Sequence, residues 1–347
     1  MLTLSFVDSD MKYLVCLKPG EIRVKEKEEP SFREDQVLVQ IKNIGICGTD
    51  LHAFAGDQMF FQYPRVLGHE LSGEVIEKGE AVDHLETGDR VVIVPFNHCG
   101  VCVACKAGKT NCCSDLKVLG VHVDGGMQEK LAVQADLVLA VNDLGYDEIA
   151  IIEPLSIGAH AIRRSRLQAG EFAVVVGAGP IGLGIMRQAL LKKAVVIAVD
   201  VVPERLDYAK NVVGVDYAVD ADEDATMKIA EITRGDLATV VFDASGNKQA
   251  LETGHKYMAH GGRYVIVGLH NGDLSFHHPS VQAKETSLLF SRNATFEDFQ
   301  EVIKILRNNQ FDSASFITHR VPFQDLTDYF QMWQNPASGV IKAMIQI

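Results

Sequence analysis

Two rhythms of apolar and polar positions divide the chain. Between residue 12 and about residue 155, short apolar stretches alternate with Gly and Pro: VLVQIKNIGI (37–46), LSGEVIEKG (71–79), DRVVIVP (89–95) and MQEKLAVQ (127–134). Runs of this length, rich in Val and Ile and bounded by turn formers, predict the strands of an irregular, mostly antiparallel β domain. From about residue 170 the rhythm changes to compact apolar runs: FAVVV (172–176), VVIAV (195–199), DYAV (216–219), TVVF (239–242), RYVIV (263–267) and SLLF (287–290). Helix-like stretches separate them. Six such runs predict an α/β arrangement, a doubly wound parallel sheet of six strands. Beyond it, TFEDFQEVIKILRNN (295–309) is amphipathic at helical spacing, and GVIKAMIQI (339–347) reads as a strand returning to the first domain. No internal repeat or low-complexity linker interrupts this plan.

Length and composition agree with it and narrow the chemistry. A chain of 347 residues suggests two domains at roughly 150 residues each. The formal net charge of −13 argues against nucleic acid or an anionic membrane surface, both of which need a basic face. No apolar run reaches the roughly 18 residues of a membrane span. The N-terminal MLTLSFVDSDMKYL lacks a basic region followed by a long apolar core, so no secretory leader is expected and the setting is cytoplasmic. In a reducing compartment, clustered cysteines point to metal thiolates rather than disulfides.

The first parallel unit carries VVVGAGPIGLGI (174–185). Gly177, Gly179 and Gly182 form G-x-G-x-x-G directly after an apolar strand. The first permits a tight turn, the second lets the backbone approach a pyrophosphate, and the third lets helix and strand pack closely. Pro180 and Ile181 open the helix whose N-terminus would receive the anion. Asp200 ends the next strand about 20 residues on, where a carboxylate binds a ribose 2′-hydroxyl. Asp200 would repel a 2′-phosphate, so NAD is expected over NADP, with Arg205 as the residue able to reverse that preference. The plain alternative is a glycine-rich structural turn beside a surface Asp.

Five of the seven cysteines fall in FNHCGVCVACKAGKTNCCSD (96–115). Cys99, Cys102 and Cys105, followed by Cys112 or Cys113, are spaced so that thiolates converge on one ion, and four sulfurs close a tetrahedral shell around Zn²⁺. A closed shell leaves no place for substrate, so this site is structural. Buried free cysteines and a redox C-x-x-C are the alternatives, the latter without a thioredoxin-like context. Spacing alone leaves Cys112 and Cys113 equivalent.

A second set of metal-capable residues is scattered. ICGTDLH (46–52) and YPRVLGHELSGEV (63–75) supply Cys47, Thr49, Asp50, His52, His69 and Glu70, and IIEPLS (151–156) supplies Glu153. A catalytic zinc needs three protein ligands and one open position. Cys47 and His69 suit it, with Glu70 or Glu153 as the third ligand and Asp50 as an acceptor for the other nitrogen of His69. Each residue singly has an ordinary reading: a buried Cys, a core His, a solvated Glu.

The order GICGTDLH, PRVLGHELSGEV, the four-cysteine loop, IIEPLSIGAHA and VVVGAGPIGLG resembles the zinc-dependent medium-chain dehydrogenase/reductase family, from about Met11 to the C-terminus. The resemblance implies a GroES-like catalytic domain over residues 1–155 and 295–347 and a Rossmann NAD-binding domain over 156–294. It implies NAD(P)-linked interconversion of alcohols and carbonyls with two zinc ions per chain, in a homodimer or homotetramer. Cys47 and His69 match catalytic zinc ligands, Thr49 the hydroxyl that contacts the reacting oxygen, and His52 a proton-relay histidine. Cys99, Cys102, Cys105 and Cys113 match the structural ligands. Where the alcohol dehydrogenase branch has a cysteine as third ligand, this chain has Glu153, as in the sorbitol and polyol branch, in which the Glu70 and Glu153 positions trade direct and water-mediated contact.

YPRVLGHE, KTNCC, VLGVHVDGG, HGGRYVIVGL, SRNATFEDF and ITHRVPF further resemble bacterial hexonate dehydrogenases. That implies oxidation of a sugar acid such as L-galactonate or L-gulonate at C5, and a cation for its carboxylate. Arg292 matches an arginine near the substrate, and Arg65 and His122 are further candidates. The rival within the class is a dehydrogenase of neutral polyols such as sorbitol. The rival outside it is a non-catalytic NAD-binding, zinc-stabilised interaction protein, which would hold one zinc per chain.

Overall fold

The structure, a computed structural model, describes residues 10–335 and 338–347. Most of the N-terminal stretch tested above for a leader lies outside the described residues. The chain forms two compact units, one running to Glu153 and resuming over Phe316–Ile347, the other Pro154–Ser315.

In the first unit the strand Gln36–Gly45 is the spine. It pairs antiparallel with Glu70–Lys78 on one side and with Lys342–Gln346 on the other. Lys130–Gln134 also pairs with its beginning. Arg90–Ile93 and Val138–Ala140 extend the sheet beyond Glu70–Lys78, and Ile317–Pro322 lies parallel to Lys342–Gln346 at the other end. Val37, Val39, Ile41, Ile44, Leu71 and Val75 are wholly buried, as β-branched and leucine side chains on a two-sided sheet require. A smaller sheet joins Glu21–Lys27, Met11–Lys18 and Arg65–Val66. The expected return strand thus forms, and its register sets Met344 opposite Gly45.

The second unit is a six-stranded sheet in which every neighbouring pair is parallel. Its order is Tyr217–Asp220, Val195–Asp200, Phe172–Val176, Ala238–Asp243, Met258–Ile266, Ser287–Phe290. In chain order this is third, second, first, fourth, fifth, sixth, so the direction of winding reverses beside the first strand. Ligands of doubly wound sheets bind at that reversal, outside the carboxyl ends of the strands. Val174, Val176, Ile197, Val199, Val241 and Tyr264 belong to the core that fixes the layers.

Residues 295–315, expected in the β domain, belong instead to the second unit, whose limit is Ser315. A carboxylate explains this. Asp298, in the first turn of helix Phe296–Arg307, receives His160 Nδ1 at 2.8 Å and Arg163 Nε and Nη2 at 2.8 and 2.9 Å, both from helix Ile152–Ser165. It also accepts the Thr295 backbone N–H and hydroxyl at 2.8 and 2.9 Å. The helix buries Phe299, Val302 and Leu306 on the same unit. Burial alone would raise the Asp298 carboxyl, but the hydrogen bonds from His160 and Arg163 outweigh it and hold the group well below the usual carboxylate range.

Asp298→Asn should therefore destabilise the protein at pH 7 by about 1–3 kcal/mol, because it leaves the buried His160 and the partly exposed Arg163 without the anion they share. A carboxylate with a depressed folded pKa stabilises above its unfolded pKa of about 3.9 and loses that contribution as pH falls through the folded value. The difference between variant and wild type in urea unfolding should accordingly be constant from pH 7 to about 5 and narrow only below about 4. A difference that grows on acidification would contradict the assignment.

Candidate functional site

Cys47 caps the helix Gly48–Ala55. Its sulfur accepts the Thr49 N–H at 3.5 Å, while its own N–H donates to Asp50 Oδ2 at 3.0 Å. The other Asp50 oxygen accepts the Gly68 N–H at 3.2 Å and lies 3.9 Å from His69 Nδ1, so one buried carboxylate ties the helix to the turn that presents His69. Glu70 follows at the start of its strand, opposite Gly45. A Cβ on Gly45 would fall 2.0 Å from Glu70 Oε2, so glycine there makes the room for the carboxylate.

One sulfur, one imidazole nitrogen and one carboxylate oxygen from Cys47, His69 and Glu70 lie within 4.8 Å of one another. Glu153 is not in that group, although it is buried in the first turn of helix Ile152–Ser165 and feels the charges of His69 and Glu70. Thiolate, imidazole and carboxylate are the donors that suit Zn²⁺. Two further features fit a cation. His69 Nδ1 is buried without a hydrogen-bond partner. Cys47, Asp50, Glu70 and Glu153 bring four acidic groups together against the single ammonium of Lys342. The protonation equilibria register that excess. Burial, then the charges of Glu70 and Asp50 against the pull of His69 and Lys342, push Glu153 up to about 7. Burial opposes a charge on His69, but Cys47 and Asp50 overcome it and hold His69 well above its ordinary value.

Lys342 is the residue that the sequence reading missed. It is 2% exposed, and its Nζ lies 2.7 Å from both oxygens of Glu70 and 3.0 Å from the Ile46 carbonyl. The only signal was a lone lysine inside the apolar strand GVIKAMIQI.

Thr49 and His52 stand one helical turn apart on Gly48–Ala55, on one face. Thr49 is half-buried; His52 is exposed, with Nδ1 3.0 Å from Asp57 Oδ1. Arg65 reaches Asp124 at 3.4 Å, and its Nε is buried without a hydrogen-bond partner. His122 Nδ1 accepts the Val118 N–H at 3.2 Å, and its ring stacks on Phe60 at 6.0 Å.

The four sulfurs of Cys99, Cys102, Cys105 and Cys113 also lie within 4.8 Å of one another, while Cys112 is exposed. Backbone N–H groups converge on these sulfurs: Cys99 and Asp115 donate to Cys113, Cys102 to Cys99, and Cys105 to Cys102. Such donors stabilise thiolates. The backbone N–H groups of Cys105 and Ser114 pull the Cys102 thiol down to about 5. Burial and the neighbouring sulfurs push the Cys105 thiol up to about 12, a mutual cost of crowded sulfurs that a cation among them would relieve.

In the second unit the glycine loop joins strand Phe172–Val176 to helix Pro180–Leu191. Gly177 has φ +94°, and a Cβ on Gly182 would fall 1.8 Å from the Gly177 carbonyl oxygen, so both are glycines for the protein's own packing. Gly179 differs. A Cβ there would meet nothing within 4 Å, yet the residue caps the helix without a side-chain partner. The open ground before the helix N-terminus is what an anion would fill. Asp200 Oδ2 accepts the Ala178 N–H at 2.6 Å and Oδ1 the Val202 N–H at 2.9 Å. The carboxylate thus braces the glycine loop and keeps lone pairs for a hydroxyl. Pro180 and Ile181 form the first helical positions, and Arg205 is half-buried in helix Pro203–Tyr208. Asp243, fully buried at the end of the fourth strand, accepts from Ser245 and Gly246 and backs the loop; burial pushes it up to about 6. Arg292 is exposed between the sixth strand and the following helix.

The chain matches the family model of the alcohol dehydrogenase GroES-like domain over residues 33–143 and that of the zinc-binding dehydrogenases over residues 180–308. It is 40% identical to L-galactonate-5-dehydrogenase of Escherichia coli K12, over 93% of this chain and 95% of that protein. It is 30% identical to a sorbitol dehydrogenase of Bacillus subtilis, over 98% of each. The crystal structure of an alcohol dehydrogenase from Escherichia coli CFT073 complexed with NADH superimposes with a TM-score of 0.92 at 30% identity, covering 98% of this chain and all of that one.

Two cysteines, one inside the four-sulfur group and one outside it, give a direct check of the loop. Cys102→Ser should lower thermal stability and release a metal ion, because a structural site contributes its binding energy to folding. Cys112→Ser should leave both melting temperature and metal content unchanged. Metal loss from the Cys112 variant would reassign the fourth ligand.

Proposed function

Because this chain belongs to the zinc-type alcohol dehydrogenase family of medium-chain dehydrogenases/reductases, we propose that it oxidises a secondary hydroxyl of a sugar acid with NAD. The substrate is a hexonate such as L-galactonate or L-gulonate, converted at C5 to the keto acid. The observation that carries this reading is the convergence of Cys47, His69 and Glu70, with Glu153 buried beside them. The 40% identity to L-galactonate-5-dehydrogenase supports the choice of substrate.

In this reading Cys47 and His69, with Glu70 or Glu153, hold a catalytic zinc, and Cys99, Cys102, Cys105 and Cys113 hold a structural one. When bound, the zinc supplies a Lewis acid that lowers the pKa of the substrate hydroxyl, and NAD supplies the hydride acceptor. The chain's own residues do the rest. Thr49 accepts the hydrogen bond of the reacting hydroxyl and orients it. His52, one turn along the helix and 3.0 Å from Asp57, takes the proton outward. Asp50 keeps the His69 ring in register. Gly177, Gly179, Pro180, Ile181 and Gly182 cradle the pyrophosphate, and Asp200 binds the adenosine ribose, with Arg205 beyond it. Arg292 is assigned to the substrate carboxylate, with Arg65 and His122 as the other candidates. A reducing, cytoplasmic setting suits such thiolate ligation.

A second reading, oxidation of a neutral polyol, is favoured by the likeness to sorbitol dehydrogenase over nearly the whole chain. A substrate panel separates the two. L-galactonate, L-gulonate, L-idonate, D-gluconate and sorbitol should be offered with NAD and with NADP, following absorbance of the reduced cofactor. A hexonate should be turned over with NAD at a kcat/KM at least about 10-fold above that for sorbitol, since one charge-assisted contact is worth about 1.5–3 kcal/mol. Preference for sorbitol would replace the substrate class, and preference for NADP would shift the ribose assignment to Arg205.

Cys47→Ala and His69→Ala should each abolish turnover while NAD affinity, read by nucleotide fluorescence, stays near that of wild type. Retained turnover in either variant would end the zinc assignment. A non-catalytic NAD-binding protein would show one zinc per chain rather than two.

A further inference from the structure

The fourth strand of the parallel sheet, next to the reversal of winding, ends in a carboxylate that takes part in no step above. Asp243 is fully buried, and it holds two turns at once. Its backbone carbonyl accepts the N–H groups of Val267 and Gly268, each at 2.9 Å, just past the fifth strand. Its Oδ1 accepts the Ser245 N–H and hydroxyl at 2.9 Å and the Gly246 N–H at 3.3 Å. The two turns meet each other and the glycine loop through glycines. A Cβ on Gly268 would fall 2.3 Å from the Gly246 nitrogen, one on Gly246 2.7 Å from the Leu269 carbonyl oxygen, and one on Gly177 2.9 Å from the Ser245 nitrogen. The Ala244 N–H donates to the Val176 carbonyl at 2.8 Å. The loops after the first, fourth and fifth strands are thus stacked backbone to backbone, at the carboxyl ends where a doubly wound sheet binds its ligand.

The other oxygen, Oδ2, is buried without a hydrogen-bond partner, so the charge is stabilised through Oδ1 alone. No cation assists. The strands on either side place Val176 and Ile266 opposite Asp243, and the ionisable groups that feel its charge are Tyr257 and Tyr264, both pushed up by burial first and by Asp243 as well. Burial pushes Asp243 itself up to about 6, against the pull of the Ser245 and Gly246 donors. We propose that Asp243 is a positioning residue for NAD: its ionised side chain holds the 244–246 turn in the shape that receives the nucleotide, and protonation slackens that turn and weakens binding. The inference rests on the NAD site of the function proposed above. A neutral acceptor makes weaker hydrogen bonds than a charged one. The protonated protein therefore spends less time with Ser245 and Gly246 in place, and apparent affinity falls by that fraction. The effect on folding has the opposite sign. A carboxyl raised above its unfolded value of about 3.9 holds its proton more tightly in the folded chain, so through this group acid favours folding while it disfavours the nucleotide.

The test is the affinity of the full-length protein for NADH, read by nucleotide fluorescence from pH 8 to pH 5, in wild type, Asp243→Asn and Ser245→Ala. Asparagine stands in for the protonated acid and does not titrate. Asp243→Asn should bind about 10-fold more weakly than wild type at pH 8, the difference between hydrogen bonds to a charged and to a neutral acceptor. At pH 5 it should bind only about 2-fold more weakly, because wild type has by then weakened toward it. The ratio of the two affinities cancels the other groups that titrate over this range. Ser245→Ala removes a donor that favours the anion, so its loss of affinity should begin at higher pH than that of wild type. A ratio that stays constant from pH 8 to pH 5 would make Asp243 a structural residue only and overturn the inference. A Ser245→Ala profile superimposable on that of wild type would do the same, and this variant decides the matter where Asp243→Asn does not fold. Thermal unfolding is the control. Wild type should not lose stability relative to Asp243→Asn between pH 7 and pH 5, and such a loss would mean that acid acts through unfolding and would overturn the inference too. Absence of NADH binding by wild type at every pH would instead bring down the NAD reading itself, and this inference with it.

Discussion

Four acidic groups with a single ammonium among them are the constraint around which the first unit is arranged. A buried charge without compensation is costly, and a buried pair survives only where geometry and hydrogen bonds are good. Each acid here has its own fixture. Cys47 sits at a helix N-terminus and Asp50 closes the capping box. Glu70 is gripped by Lys342, and Glu153 occupies the first turn of a helix. The strand order follows from the same requirement: Gln36–Gly45 must have Glu70 on one side and Lys342 on the other, with a glycine between them to let them touch. The remaining negative charge is what a divalent ion is suited to neutralise.

Much of the fold was legible because its strands advertise themselves. The inner strands of the parallel sheet are buried on both faces and read as unbroken apolar runs; the edge strands Tyr217–Asp220 and Ser287–Phe290 are largely exposed but also stand where apolar runs stand. The limit between the units was not legible. An amphipathic helix at 296–307 declares only that it has an apolar face; that the face belongs to the second unit depends on Asp298 meeting His160 and Arg163, 138 and 135 residues away. The metal-capable residues divide in the same way. The sulfur loop is local, so spacing alone exposes it. Cys47, His69, Glu70 and Glu153 are gathered by folding, and only the family likeness picks them out beforehand. Lys342 escaped both routes. A lysine in a strand ordinarily extends its ammonium to water, and its partner is set by a register that exists only in the folded sheet.

The glycine loop holds two kinds of glycine that look alike in the sequence. Gly177 and Gly182 answer to the protein, one through its positive φ and the other through contact with a carbonyl oxygen. Gly179 answers to something outside it, since nothing in the chain would touch a side chain there. Asp200 also has two duties, because it braces the loop through the Ala178 N–H while facing the end of the sheet where a ribose would lie. Damage to Asp200 therefore changes the shape of the phosphate cradle as well as the ribose contact.

Lys342 bonds to Ile46 and Glu70 across 296 and 272 residues of chain, with the whole second unit lying between them in sequence. During synthesis Cys47, Asp50, Glu70 and Glu153 leave the ribosome long before their cation does, while the parallel sheet can assemble as it emerges. For that interval the nascent first unit lacks both the last strand beside its spine and the ammonium that tames its acids. Its thiolate and carboxylates stay open to water and to any passing soft metal ion. Pairing of Lys342–Gln346 with the spine is thus the step that brings the ammonium to Glu70 and the Ile46 carbonyl.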